Sequence, residues 1–150
     1  MSETRILVVD DEPSVRGLLR VAVGAPGVLV VDAADASGAL QLANQHGFFD
    51  LVITDIQMPG TDGLELARRL RRAQQASRFL FISGYSNIGS LEEGMREFEN
   101  AAFLAKPFQI SELLREVRGL MERRPPPRMA SLRRRAGRDM LEGCRGTSSS

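Results

Sequence analysis

One cysteine, one histidine and one lysine are all that this 150-residue chain holds of those three types. A lone Cys144 excludes an intrachain disulfide, and in its polar surroundings it reads as an ordinary thiol. A lone His46, directly before Gly47, excludes a multi-histidine metal site or a histidine-dependent triad elsewhere, and reads as a solvated helix end. No apolar run approaches the roughly 18 residues of a membrane span. The N-terminal stretch has no signal-peptide layout, so a cytoplasmic protein with no membrane contact is expected.

What is present is 43% hydrophobic and 26% charged residues, the composition of one soluble globular domain with a real core. The net charge of +1 hides two unlike parts. Residues 1 to 122 carry 12 basic and 17 acidic side chains, whereas residues 123 to 150 carry 8 and 2. An acidic body thus precedes an Arg-, Gly- and Ser-rich tail, with Pro125-Pro126-Pro127 between them; the tail is expected to be disordered or marginally helical.

Within the body, apolar runs and helical patterns alternate five times. The run from Arg5 to Val9 ends in Asp10-Asp11-Glu12; Pro13 then opens a helix with Val15, Leu18, Leu19 and Ala22 on its apolar side. Val28 to Val31 is a second strand, followed by a helix capped by Asp35 or Ser37 with Ala36, Ala39, Leu40 and Ala43 on one face. Leu51-Val52-Ile53 is the third strand, which stops at Asp55 and a Pro59-Gly60 turn. Gly63 opens the third helix, with Leu64, Ala67 and Leu70 on one side and Arg68, Arg69, Arg71 and Arg72 read as a solvated face. Phe79 to Ile82 is the fourth strand. The helix after it, with Ile88, Leu91, Met95 and Phe98, is weakened by Gly89 and Gly94 at roughly 1 kcal/mol each. Ala102 to Ala105 is the fifth strand, and a helix beginning near Ser111 presents Ile110, Leu113, Leu114, Val117, Leu120 and Met121. Such alternation predicts an α/β, doubly wound, five-stranded parallel sheet with helices on both faces.

In that architecture the carboxyl ends of the strands share one edge, where ligands bind. Asp10, Asp11, Asp55, Ser83 and Lys106 all stand at strand ends. If the first and third strands are neighbours, their acids lie about 5 Å apart. Clustered carboxylates resist joint ionisation without a cation, and hard oxygen donors suit Mg²⁺. Asp10 and Asp11 are therefore candidate metal ligands, and Asp55 a candidate ligand and nucleophile for aspartyl-phosphate chemistry. The Ser83 hydroxyl and the Lys106 ammonium could serve the remaining phosphoryl oxygens. Among 20 basic residues Lys106 alone is not arginine, so a compact point charge stands where a tight phosphate pocket would need one.

Val8-Val9-Asp10-Asp11-Glu12, the stretch Ile53 to Gly63, Ser83-Gly84-Tyr85 and Lys106-Pro107-Phe108 together resemble the receiver domain of bacterial two-component response regulators, over about residues 4 to 122. Ser83-Gly84-Tyr85-Ser86 and the stretch Phe103 to Phe108 resemble more narrowly the receivers attached to hybrid sensor kinases. The resemblance implies a flavodoxin-like sheet in the order 2-1-3-4-5. It implies phosphorylation of Asp55 by a histidine kinase or a histidine phosphotransfer protein, with Mg²⁺ on Asp10, Asp11, Asp55 and the backbone carbonyl of Gln57. Ser83 matches the switch hydroxyl, Lys106 the phosphate-contacting lysine, Phe103 the switch aromatic, and Gln57 and Tyr85 positions that tune dephosphorylation. The expected protein is a phosphorelay switch and not an enzyme with a diffusible product, acting through its fourth helix, fifth strand and fifth helix. Competing readings are a receiver-fold interaction module that signals without phosphorylation, and a basic tail (residues 123–150) that binds nucleic acid or an acidic partner through Arg133-Arg134-Arg135 and its neighbours. A phosphoester hydrolase would need a general acid and a cap, and neither is visible in the sequence.

Overall fold

The computed structural model describes residues 3–84 and 93–123. Tyr85, the helix positions Ile88, Gly89 and Leu91, and the tail from residue 124 lie outside the described residues. Five strands, β1 (Thr4–Val9), β2 (Val28–Ala33), β3 (Leu51–Asp55), β4 (Arg78–Ser83) and β5 (Asn100–Ala105), pair in parallel in the order β2-β1-β3-β4-β5. Between them run α1 (Pro13–Val23), α2 (Ala36–His46) and α3 (Gly63–Arg72); a C-terminal helix spans Ile110–Glu122. Of the expected fourth helix, the described part holds a helical turn at Glu93, Gly94 and Met95.

The continuous apolar runs of the strands serve two cores at once. Successive strand side chains point to opposite faces. Leu7, Val9, Val52, Phe79 and Phe81 pack against Ala36, Ala39 and Ala43 of α2 and Leu66, Ala67 and Leu70 of α3. Ile6, Val8, Leu51, Ile53, Leu80 and Ile82 pack against Leu19 and Val23 of α1 and Leu113 and Leu120 of the C-terminal helix. A sheet covered on both faces has no polar alternation to show, hence the unbroken runs.

Two residues expected on apolar helix faces stand outside the core. Leu18 is 46% exposed and Ile110 38%, so neither belongs to the core stripe expected of it. Leu18 lies beside the Val15, Leu19, Val23 line of α1, and Ile110 is the first residue of its helix. In α3 the buried line is Gly63, Leu66, Ala67 and Leu70, a 3.6-period stripe whose first member has no side chain to reveal it. The strands also run longer than their apolar runs. β4 starts at Arg78, which is buried; it donates to the Asp50 carbonyl at 3.4 Å and to the Arg123 carbonyl at 2.9 Å, at the edge opposite the strand ends.

The α3 arginines are not uniformly solvated. Arg68 Nε donates to both carboxylate oxygens of Glu97 at 3.1 and 3.0 Å. Arg71 donates to the Glu97 carbonyl and lies 4.8 Å over the Phe98 ring. Phe98 in turn packs on Phe79 and Phe81, with ring centroids 5.2 and 5.5 Å away. Arg69 and Arg72 keep the expected surface role, paired with Glu65. Gly94 has a packing reason besides its low helix propensity: a Cβ there would stand 3.0 Å from Leu64 Cδ1.

Helix starts are specified locally. Asp35 accepts from the Gly38 amide at 2.8 Å, Asp62 accepts from the Glu65 amide at 2.9 Å, and the Glu112 carboxylate accepts from the Gln109 amide at 2.8 Å. Asp62→Ala removes the acceptor that opens α3 and is expected to cost about 1 kcal/mol, read as a lower urea midpoint at unchanged slope.

Candidate functional site

Strand register sets the site. Val9 pairs with Thr54, so Asp10 comes level with Asp55 one residue on. Asp55 pairs with Ile82, and Ser83 with Ala105, so Ser83 and Lys106 follow in step along the same edge. Asp10 and Lys106, 96 positions apart in the chain, thereby meet, as do Asp55 and Lys106, 51 apart.

The acids converge as the sequence led us to expect. One carboxylate oxygen each from Asp10, Asp11 and Asp55 lies within 4.8 Å of the others. Asp10 and Asp55 are buried and Asp11 is exposed. Each buried acid has one oxygen held by a nearby backbone amide. Asp10 Oδ1 accepts from the Glu12 amide at 2.9 Å, and Asp55 Oδ1 accepts from the Gln57 amide at 3.2 Å. The second oxygens share one cation, with Lys106 Nζ 3.1 Å from Asp10 Oδ2 and 3.3 Å from Asp55 Oδ2. The lysine is placed from behind, since its amide donates to the Ser83 carbonyl at 2.9 Å, and it precedes a cis Pro107.

The electrostatics follow from one lysine among several carboxylates. Burial opposes the Lys106 charge, but hydrogen bonds and attraction from Asp10, Asp55 and Glu12 prevail and push its pKa up to about 12. Burial raises the Asp55 pKa; Lys106 pulls it back, Asp10 repels it, and the net direction stays upward. Both partners rise, the lysine because three acids outweigh its burial and Asp55 because its burial outweighs its share of that one cation. An unmet negative charge in a low-dielectric cleft is what a divalent cation relieves, and three hard oxygens suit Mg²⁺.

Ser83 is fully buried at the end of β4, next to Lys106 across the strand pair. Gln57 is exposed, with its amide on Asp55. Phe103 is half-buried in β5, opposite Phe81, and packs on the α2–α3 core. Glu12 is a participant the sequence reading passed over: its carboxylate accepts from Lys106 at 3.2 Å. Its place beside Asp10 and Asp11 was the available signal.

A family model described as response regulator receiver domain matches residues 6–118. The transcriptional regulatory protein TcrA of Mycobacterium tuberculosis is 35% identical over 134 residues, covering 88% of this chain and 51% of that protein. The chain thus spans about half the length of the curated relatives it matches. Among solved structures, response regulator TrrA from Thermotoga maritima, in complex with Mg²⁺-BeF, is 35% identical with a TM-score of 0.65, covering 78% of this chain and 98% of that one. The receiver domain of the hybrid histidine kinase CckA is 34% identical with a TM-score of 0.64, covering 79% and 99%. With five parallel strands in the order β2-β1-β3-β4-β5, an acid cluster at their shared edge and this match across residues 6–118, the chain belongs to the response regulator receiver domain family of two-component systems.

Proposed function

We propose that Asp55 is the phospho-acceptor of a two-component phosphorelay switch. The observation that carries this reading is the Lys106 ammonium bridging Asp10 and Asp55 at the common strand edge. That arrangement has a carboxylate, a cation and a cluster of hard donors within one hydrogen-bonded unit, the parts phosphoryl transfer requires.

In this reading an Asp55 oxygen attacks the phosphorus of a phosphohistidine on a histidine kinase or phosphotransfer protein. The O–P bond forms as the P–N bond breaks, and the electron pair leaves with the imidazole nitrogen. Asp10, Asp11, Asp55 and the Gln57 carbonyl would hold Mg²⁺, which supplies charge neutralisation at one phosphoryl oxygen when bound. Lys106 and the Ser83 hydroxyl serve the other two. Lys106 exchanges a carboxylate partner for a phosphoryl oxygen, while Phe103 on the neighbouring strand and the C-terminal helix carry the change outward. Gln57 and Tyr85 tune the lifetime of the acyl phosphate. Residues 4–122 form the receiver unit and residues 123–150 a separate basic tail. The protein works as a switch in the cytoplasm; among the described residues no helix is long and apolar enough to cross a membrane.

Intact mass after incubation with Mg²⁺ and a small acyl phosphate tests this. One added phosphate that requires Mg²⁺ and is lost at alkaline pH is expected. If the small donor leaves the mass unchanged, a histidine-phosphorylated protein donor is the second arm, and no adduct from either rules the reading out.

A further inference from the structure

Arg16 lies on α1, six residues after Asp10, and its guanidinium makes two contacts that join separate parts of the fold. One terminal nitrogen donates to the Asp10 backbone carbonyl at 2.8 Å. Its Nε donates to Asp32 Oδ2 on β2 at 2.9 Å. The side chains are mostly covered, at 20% exposure for Arg16 and 26% for Asp32. Asp10 is then held at every polar atom. Its amide donates to the Ala33 carbonyl of β2, Oδ1 and Oδ2 meet the Glu12 amide and Lys106, and the carbonyl meets Arg16. The Asp10 carbonyl belongs to the peptide that joins Asp10 to Asp11, so its direction sets where the exposed Asp11 carboxylate points. A planar guanidinium with fixed donor directions can hold that peptide against β2, which an ammonium on a flexible stem cannot do as rigidly.

We propose that Arg16 is a positioning residue for the metal site. It braces the Asp10–Asp11 peptide from the edge strand so that both carboxylates face Asp55. The inference rests on the Mg²⁺ reading above and adds a residue that touches neither the metal nor the phosphoryl group. Outer groups that orient metal ligands typically carry 10- to 100-fold in metal affinity.

Arg20 supplies the control. It also pairs with Asp32, at 3.2 Å, but it is 52% exposed and its contact runs to the other carboxylate oxygen. Arg16→Ala and Arg20→Ala remove the same charge from the same helix. Charge alone would make either variant bind a cation more tightly, because a nearby positive group is gone. A loss of affinity confined to Arg16→Ala has the opposite sign and can arise only from geometry.

The experiment is calorimetric titration of Mg²⁺ into the metal-free full chain, with no phosphoryl donor, at a temperature where each variant is folded by circular dichroism. Arg16→Ala is expected to weaken binding about 10-fold or more, Arg20→Ala to leave it within about twofold, and Arg16→Lys, which recovers one of the two contacts, to fall between. Wild-type binding matched by Arg16→Ala would overturn this inference alone, as would equal losses in both alanine variants. An absence of Mg²⁺ binding in the wild type would overturn the metal reading and this inference with it.

Discussion

Asparagine at position 55 is expected to abolish phosphoryl uptake and, in chelator, to raise the melting temperature of the same protein. The two effects share a cause. The amide matches the carboxylate in shape and keeps one accepting oxygen, enough for the Gln57 amide, while Lys106 loses its Asp55 partner and stays on Asp10 and Glu12, so the frame is kept with one contact fewer. It has no anionic oxygen to attack phosphorus, and intact mass after acyl-phosphate treatment should show the unmodified chain.

The stability change follows from the raised Asp55 pKa, caused first by burial and then by Asp10 against the pull of Lys106. A folded-state pKa above the unfolded one means that the native state binds the proton more tightly. Stability from this group is then greatest below the unfolded value of 3.8 and declines as pH rises through the window up to the folded pKa. At neutral pH the ionised carboxylate works against folding, and asparagine removes that burden. The melting-temperature gap between variant and wild type should be positive at pH 7 and shrink as pH approaches 3.8. A variant no more stable than wild type at pH 7 would mean that Lys106 fully compensates the buried acids.

Gly63→Ala should be the most damaging single methyl in the fold's working half. A Cβ at Gly63 would stand 2.2 Å from the Asp55 carbonyl oxygen and 3.0 Å from Ile56 Cα, both backbone atoms that no rotamer change can move. The Gly63 amide also donates to the Ile56 carbonyl at 2.9 Å, so α3 starts in direct contact with the end of β3. Relief requires α3 to lift from the strand, loosening Leu66, Ala67 and Leu70 in the core. Overpacking of a site that cannot yield costs about 3 kcal/mol or more. Urea unfolding should show it as a large fall in midpoint, and phosphoryl uptake should slow because the Asp55 backbone is displaced. Gly17, exposed on α1 with nothing within 4 Å of its would-be Cβ, is the counterpart. Gly17→Ala is expected to gain up to about 1 kcal/mol. Equal effects at the two positions would show that helix propensity, not contact with Asp55, governs Gly63.

Local sequence determined a good deal of this protein. An apolar run that stops at an acid, followed by a turn or a proline, marks a strand end, so Asp10, Asp55 and Lys106 could be placed on one edge before any coordinates. Helical spacing gave most buried positions, and Asp35 could be named as a cap, because both signals extend over only a few neighbouring residues. Strand order came through the family resemblance and not from periodicity, which is blind to which covered strand lies beside which. The partners of the charged side chains had to await the tertiary structure. Arg68 reaches Glu97 across 29 positions and Arg71 reaches it across 26, so a row that reads as a solvated face is partly a clamp. Gly63 reads as a helix start, and only its contact with Asp55 shows that no side chain fits there. Arg16 reads as one more polar residue of α1 until the fold brings Asp10 and Asp32 to either end of its guanidinium. Periodicity reports which face of an element is buried; long polar side chains and close backbone approaches are decided by what the packed elements bring within about 3 Å.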